Sequence, residues 1–185
     1  TYSVAWIDCM SRRNNLGRSI LMLGEHSTEG DLKTHQKNKL SIPFNMPSLL
    51  INKYLIKAFN YLYANKQLKN EVNSFIHYGS FFYPLDGINN WNRIYGTKGF
   101  TQYQFVIPHK YGKDGIAEIL EAVSQSNHAS FLAVLKVFGN KNNNLLSFPI
   151  SGYTLSIDFK LSDKLFDFLD CLDDIVQKYG GRLYL

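Results

Sequence analysis

The stretch Gly99-Phe100-Thr101-Gln102-Tyr103-Gln104-Phe105-Val106-Ile107-Pro108 predicts the central β-strand of this chain. Its aromatic and β-branched residues favour a strand, and the glycine and proline at its ends bound it. Because successive side chains alternate across a strand, Gln102 and Gln104 share one face while Thr101, Tyr103 and Phe105 share the other. Two neighbouring amides therefore lie on one side of an otherwise apolar strand.

The two amides need hydrogen-bond partners. Each polar group that is buried without a partner costs roughly 1–3 kcal/mol. This leaves two alternatives for Gln102 and Gln104. Either other protein groups or water satisfy the amides, or the amides bind the hydroxyls of a polar ligand such as a sugar.

The composition is that of one globular domain spanning residues 1–185. The chain has 185 residues, of which 45% are hydrophobic and 15% aromatic, so it can bury one sizeable core. The net charge of +5 is mild and the basic residues are thinly spread, which argues against a nucleic-acid partner. No apolar run is long enough to cross a membrane, for which about 18 residues are needed.

The cysteines and the first residue indicate an intracellular fragment. Cys9 and Cys171 lack the spacing of a zinc site or a disulfide framework, so we expect two reduced thiols in a cytoplasmic protein. Thr1 stands in place of an initiator methionine, so we expect the chain to be part of a longer protein.

The succession of patterns predicts an α+β fold with the order β-β-α-β-β-α-β-β-α-β. We expect a mostly antiparallel sheet with helices packed on one face. Strands are predicted at 2–8, 19–24, 73–82, 99–108, 129–138, 153–159 and 182–185. Helices are predicted at 47–66, at 115–124 and from a cap at Ser162 to residue 179, and a long polar loop at 25–45.

Three of these strands supply a candidate ligand face. Lys136 interrupts an apolar strand, so its ammonium needs an anion, a polar partner or a route to water, which a lysine near a strand end often has. Thr154 and Ser156 place small hydroxyls on one face of the next strand. The predicted face comprises Gln102, Gln104, Lys136, Thr154 and Ser156, with Phe138 and Tyr83 as aromatic walls.

No motif predicts a complete catalytic or metal site. The chain contains no nucleophile elbow, dinucleotide fingerprint, phosphate loop or zinc-protease helix. Its five histidines are scattered without metal-ligand spacing. We therefore predict no catalytic residues, no metal ligands and no cofactor-binding residues within this chain.

Several segments together resemble the FAD-linked oxidases of the vanillyl-alcohol oxidase type. The resemblance covers nearly the whole chain except residues 25–47. It rests on Tyr2-Ser3-Val4-Ala5-Trp6-Ile7-Asp8, Leu16-Gly17-Arg18, Tyr83-Pro84-Leu85-Asp86, Trp91-Asn92-Arg93-Ile94-Tyr95-Gly96, the stretch from Gly99 to Pro108, Gly139 with the preceding Phe131-Leu132 and Lys136-Val137-Phe138, Leu146-Ser147-Phe148-Pro149, and Gly180-Gly181-Arg182-Leu183-Tyr184.

The resemblance implies roles for particular residues. Gln102 and Gln104 would face the sugar or the flavin edge, and Lys136 would bind the substrate or its phosphate. Thr154 and Ser156 stand where a member of the family carries asparagine and cysteine. Phe138 and Trp6 would line the pocket, with Phe82 and Leu85 on its other wall.

The resemblance also implies an enzyme whose substrate-binding domain is this chain. In that family a substrate domain is inserted into an FAD-binding domain, so FAD would be bound by the missing domain and this fragment would be inactive and free of FAD. The full protein would oxidise a hydroxyl of a sugar or polyprenyl-phosphoryl-sugar by hydride transfer to flavin, in cell-wall biosynthesis. It would be cytoplasmic, with contact to the membrane through a lipid-linked substrate.

Two alternatives to the oxidoreductase domain stay open. One is a stand-alone binding module for a small polar, sugar-like ligand without catalysis. The other is a purely structural interaction domain, which would leave Gln102, Gln104 and Lys136 without a common ligand. An inserted domain leaves and re-enters its host at nearby points, so the insertion predicts that Thr1 and Leu185 lie close together.

Overall fold

A six-stranded sheet organises the chain. A computed structural model describes residues 1–30, 40–47, 52–66 and 69–184. Its strands are β1 (Tyr2–Ile7), β2 (Ser19–Gly24), β3 (Leu40–Ser41), β4 (Ile88–Asn89), β5 (Phe100–Pro108), β6 (Ala133–Phe138), β7 (Gly152–Lys160) and β8 (Arg182–Leu183). Its α-helices are α1 (Lys53–Ala64), α2 (Tyr78–Phe82), α3 (Gly112–Gln125) and α4 (Leu165–Lys178).

The sheet is antiparallel throughout, in the order β2-β1-β6-β7-β5-β8. The longest pairing joins β5 to β7 along their whole length, from Phe100 opposite Lys160 to Pro108 opposite Gly152. The strands β3 and β4 form a separate parallel pair. The predicted α+β class, with a mostly antiparallel sheet, is confirmed.

Helices α3 and α4 cover one face of the sheet. Their apolar residues recur at helical spacing, and Ile119 and Leu172 are fully buried against Phe105 and Leu155 of the central strands. Full burial of a large aliphatic or aromatic side chain contributes about 1.5–3 kcal/mol, so this layer supplies most of the hydrophobic stabilisation.

The opposite face of the sheet carries the polar residues and is partly covered by α1. Because side chains alternate, Trp6 points away from the face that α3 and α4 cover. The Trp6 ring packs on Tyr63 of α1, with ring centroids 4.6 Å apart. Asn60 anchors the same helix by donating to Oδ1 of Asp8 at 2.9 Å. Trp6 and Asn60 therefore attach α1 to the sheet near the end of β1.

Two local predictions are wrong, and two others fall partly outside the described residues. Residues 71–77 are irregular and 78–82 form α2, where a strand over 73–82 was expected; the His77 ring accepts from the Gly79 amide at the start of α2. Ser162 does not cap the last helix, because α4 begins at Leu165 after Lys164. The predicted helix start at 47–51 and the loop at 25–45 fall partly on residues 31–39 and 48–51, which lie outside the described residues.

The two ends of the described chain lie far apart. Leu185 lies outside the described residues, but Tyr184 bonds through its amide to Gln104 of β5. β1 and β8 are separated by β6, β7 and β5, so they stand about 19 Å apart across the sheet. The expectation that Thr1 and Leu185 are neighbours involves Leu185, which lies outside the described residues, so it stays a prediction. Within those residues, no helix combines the length and hydropathy needed to cross a membrane.

Candidate functional site

Gln102 is held by a carboxylate on the neighbouring strand. Gln102 and Asp158 stand opposite each other in the β5–β7 pairing. The Gln102 amide nitrogen Nε2 donates to Oδ1 of Asp158 at 2.9 Å. An ionised carboxylate only accepts hydrogen bonds, so this contact fixes which end of the amide faces Asp158. The carbonyl oxygen of Gln102 is left to face outward, and the side chain is solvent-exposed.

Gln104, two residues further along β5, also bonds to a side chain of β7. Its Nε2 donates to the hydroxyl of Thr154 at 3.2 Å, and Ser156 lies directly opposite it on β7. Both amides thus find partners within the protein, as one of the two alternatives requires. Each carbonyl oxygen remains the part of the side chain that can accept from the hydroxyl of a ligand.

Lys136 lies beside Thr154 and reaches solvent. The two residues are paired between β6 and β7, so Lys136, Thr154 and Gln104 share one patch of the polar face. Lys136 is exposed, as expected for a lysine near the end of a strand. The patch therefore combines a mobile ammonium donor with oriented amide oxygens.

A cavity of about 570 Å³ opens beside this patch. Gln104 and Phe138 contribute to its wall, together with Tyr184 at the end of β8. The rest of the wall is the loop that follows β6, through Asn142, Asn144 and 146–149. Small-molecule sites usually have volumes of about 300–1,000 Å³, with apolar walls and few polar groups, and this cavity fits that description.

Aromatic rings form the apolar wall of the cavity. The Phe148 ring meets Phe138 edge-on at 5.7 Å and Tyr184 at 5.2 Å. The guanidinium of Arg182 donates to the carbonyl of Ser147 at 3.2 Å, which ties the loop to β8. The Ser147 hydroxyl oxygen is buried and has no hydrogen-bond partner among the described residues. Because this oxygen has almost no accessible surface, it lies behind the cavity wall and does not face the open space.

The remaining predicted site residues lie towards the β1 edge of the sheet. Trp6 is buried, and its indole nitrogen donates to the carbonyl of Phe131 at 3.1 Å. Phe82 packs edge-on against Tyr2 at 5.0 Å, beside the exposed Tyr83. Leu85 is half-buried in the turn that follows. The structure thus brings Gln104, Thr154, Ser156, Lys136 and Phe138 together with Gln102, and places Trp6, Phe82 and Leu85 outside the cavity wall.

Asp158 and Tyr95 form a buried acidic pair under the polar face. Each is only 1% exposed. Burial raises the pKa of Asp158, although the hydrogen bond from Gln102 opposes the rise. Burial and the neighbouring Asp158 carboxyl together raise the pKa of Tyr95. The second carboxyl oxygen of Asp158 and the Tyr95 hydroxyl have no other polar partner among the described residues.

Sequence reasoning missed four residues of this site. Asp158 had the right alternation on β7 but was not included with Thr154 and Ser156. Phe148 and Tyr184 belong to two of the motifs that carry the family resemblance, and their place in those motifs could have indicated a role in the site. Tyr95 could not be found by pattern, because its contact with Asp158 joins residues 63 positions apart.

The glycines at the start of α3 do not form a cradle for a cofactor pyrophosphate. A side-chain carbon added at Gly112 would come within 2.2 Å of the Tyr153 ring, and one at Gly115 within 2.6 Å of Ile107. These glycines let α3 pack closely on the sheet, and protein atoms already fill the space. The described residues also contain no cluster of three histidine, cysteine, aspartate or glutamate side chains that fits a metal ion.

Comparison with known proteins connects the chain to one enzyme. It is 35% identical over 195 aligned residues to decaprenylphosphoryl-β-D-ribose oxidase from Mycolicibacterium smegmatis (strain ATCC 700084 / mc(2)155). The alignment covers 100% of this chain. The chain resembles decaprenylphosphoryl-β-D-ribose oxidase. The motifs quoted above also resemble this oxidase, and the alignment confirms that resemblance.

The likeness to decaprenylphosphoryl-β-D-ribose oxidase covers part of that enzyme. The chain spans 42% of the length of the oxidase it matches. No protein-family model matches the chain. The sheet, the polar face and the aromatic cavity described above all lie within the aligned segment.

Proposed function

We propose that this chain is the substrate-binding domain of an FAD-dependent oxidoreductase that oxidises a hydroxyl of a sugar or of a polyprenyl-phosphoryl-sugar. The observation that carries the proposal is the cavity beside Gln104, which joins an oriented amide to an aromatic wall. The likeness to decaprenylphosphoryl-β-D-ribose oxidase supports the choice of a sugar linked to a lipid phosphate.

The polar groups suit a ligand that carries hydroxyls. Gln104 offers a hydrogen-bond group at the cavity wall, and Phe138 and Tyr184 offer ring faces and edges on which a sugar can pack. Lys136 is exposed on β6, with β7 between it and Gln104, and supplies a positive charge for a phosphate or for a developing negative charge on the ligand.

The redox chemistry is assigned to a cofactor held outside the described residues. When bound by those other residues, FAD would supply the hydride acceptor for oxidation of the carbon that bears the hydroxyl. Tyr153 and Ile107 occupy the space beside Gly112 and Gly115, where a pyrophosphate would otherwise approach the backbone. We therefore assign to this chain the binding and orientation of the substrate. We place the full-length protein in cell-wall biosynthesis in the cytoplasm, with a second domain of the same chain carrying FAD.

The test uses the full-length protein that contains this chain. Gln104→Ala and Lys136→Met each remove a polar group and leave the core unchanged, so both should slow flavin reduction by a polyprenyl-phosphoryl-sugar at least tenfold. Gln125→Ala is the matched control, since Gln125 is exposed on α3 and, among the described residues, its side chain bonds to Glu121 alone. Stopped-flow absorbance of the flavin gives the rate.

Two results would reject the proposal. An unchanged rate in both variants would make the amide and the lysine structural residues of the sheet. Full-length protein that purifies and functions without FAD, yet binds a sugar at this cavity, would favour the stand-alone binding module instead.

A further inference from the structure

A second cavity lies at the other end of the polar face. Its volume is about 380 Å³. Lys160 at the end of β7 contributes to its wall, and Lys160 lies six residues along the strand from Thr154. At the rise of a β-strand this separates the two ends by about 20 Å. A phosphate attached to a sugar beside Gln104 does not span that distance, so the second cavity is a separate site.

Three lysines from three parts of the chain line this cavity. Lys53 comes from the first turn of α1, Lys98 from the turn before β5, and Lys160 from the end of β7. Among the described residues, no aspartate or glutamate lines this cavity. An anion placed between the three ammonium groups is attracted to each of them.

The neutral groups of the wall complement an anion. Asn127 already accepts from Lys53 at 3.4 Å, which leaves its amide nitrogen as a donor, and Ser162 adds a hydroxyl. Asn52 caps α1 by accepting from the backbone amides of Tyr54 and Leu55 at 3.0 and 3.1 Å. The cavity therefore also lies at the positive end of the helix dipole, which favours negative charge.

The remaining wall is apolar and fixed. Ile56, Ala129 and Leu161 form it. His128 is stacked on Phe168 at 5.1 Å, and its burial lowers its pKa, so at neutral pH it is uncharged. Burial and the nearby charge of Lys98 lower the pKa of Lys160, which agrees with cations facing one another across the space.

We propose that the cavity between α1, the turn before β5 and the end of β7 binds a phosphate or diphosphate group. Lys53, Lys98 and Lys160 hold the charge, and Asn127 and Ser162 donate to its oxygens. The phosphate belongs either to a free phosphate ester or to a lipid headgroup. The apolar part of that ester or lipid packs on Ile56 and Leu161. This site is independent of the proposed oxidoreductase function.

The test measures lysine reactivity in the full-length protein. An amine-acylating reagent is applied with increasing inorganic pyrophosphate, and mass spectrometry quantifies modification at each lysine. We expect saturable protection of Lys98 and Lys160 with no protection of Lys113, an exposed lysine of α3 that serves as internal control. Absence of protection, or equal protection of Lys113, would overturn the site.

Variants and vesicles complete the experiment. Lys98→Gln and Lys160→Gln should each weaken pyrophosphate binding at least tenfold in equilibrium dialysis, while Lys113→Gln should not change it. Unchanged binding in both cavity variants would reject the proposal. Protection by phosphatidylglycerol vesicles but not by phosphatidylcholine vesicles would identify the source as an anionic lipid headgroup, and protection by pyrophosphate alone would identify a free phosphate ester.

Discussion

The amide nitrogen of Gln102 lies 2.9 Å from the carboxyl oxygen of Asp158, across the β5–β7 pairing. This contact orients an exposed amide by means of a carboxyl that is itself 1% exposed. An amide held by a buried partner loses less rotamer entropy when it binds a ligand than a freely rotating one. Asp158 therefore acts as a positioning residue for Gln102.

We expect Asp158→Asn to raise the free energy of unfolding at neutral pH by about 1 kcal/mol. Asparagine still accepts from Gln102 and can also donate to the Tyr95 hydroxyl, while it removes a buried charge. The folded-state pKa of Asp158 lies above its usual value of 3.8, so the cost of ionisation is present above the folded pKa and disappears as the pH falls towards 3.8.

Urea unfolding of both proteins at several pH values measures this difference. The advantage of the variant should shrink as the medium becomes acidic. Asp163→Asn is the control, because Asp163 is exposed just beyond β7. A destabilised Asp158→Asn protein at neutral pH would show that the charge stabilises the sheet.

Asp8 should show the opposite pH dependence. Burial raises the pKa of this carboxyl. The combined hydrogen bonds from Ser11, Arg18, Asn60 and the backbone amide of Met10 lower the pKa by more than burial raises it, so the pKa lies below 3.8 in the folded protein. The ionised Asp8 carboxylate therefore stabilises the folded protein fully above pH 3.8, and this contribution is lost as the pH falls through the folded-state pKa.

Removing the Asp8 carboxylate should be costly at neutral pH. Asp8→Ala breaks the half-buried ion pair with Arg18 and removes one of the two acceptors of the Asn60 amide nitrogen, so we expect a loss of about 3 kcal/mol. Calorimetric melting at pH 7 checks the loss, with Asp167→Ala on the exposed side of α4 as control. Equal melting temperatures for the two variants would contradict the assignment.

The sequence predicts the sheet better than it predicts the site. Alternation identified β1, β2, β5 and β7, and helical spacing identified α3, because these patterns report directly which side of an element is buried. The segment 73–82 failed because a short run of aromatic residues is compatible with either a strand or a helix. The contacts of Asp158 with Gln102 and with Tyr95 could not be predicted, since these residues meet only when distant strands and turns come together.

Gly152 should tolerate no side chain. A carbon added there would come within 2.2 Å of the Ile107 carbonyl oxygen on the paired strand. Because that atom belongs to the backbone, Gly152→Ala should destabilise the protein by about 2–3 kcal/mol. Gly139→Ala is the matched control, since nothing lies within 4 Å of the added carbon. Chemical unfolding of both variants measures the contrast, and equal stabilities would refute it.

The two cysteines should differ sharply in reactivity. Cys9 is buried, donates to the carbonyl of Ser130 at 3.2 Å, and has a pKa raised by burial to about 12, whereas Cys171 is exposed on α4. Only a thiolate reacts quickly with alkylating reagents, so iodoacetamide should label Cys171 and spare Cys9 in the native protein. Peptide mass spectrometry checks this, and denatured protein, in which both are labelled, is the control. Rapid native labelling of Cys9 would contradict the buried position.

Phe148 should control the affinity of the cavity beside Gln104. Its ring lies between Phe138 and Tyr184, so Phe148→Ala removes the middle of the aromatic wall and leaves the hydrogen-bonding groups in place. Under the proposed function we expect KM for the sugar substrate to rise about tenfold, which corresponds to about 1.4 kcal/mol, while kcat stays near its original value. Leu145→Ala is the control on the same loop, because Leu145 is fully exposed at 103% and lines no part of the cavity.

Steady-state kinetics of the full-length protein give KM and kcat for both variants. A KM unchanged in Phe148→Ala, or raised equally in Leu145→Ala, would place the substrate elsewhere on the polar face.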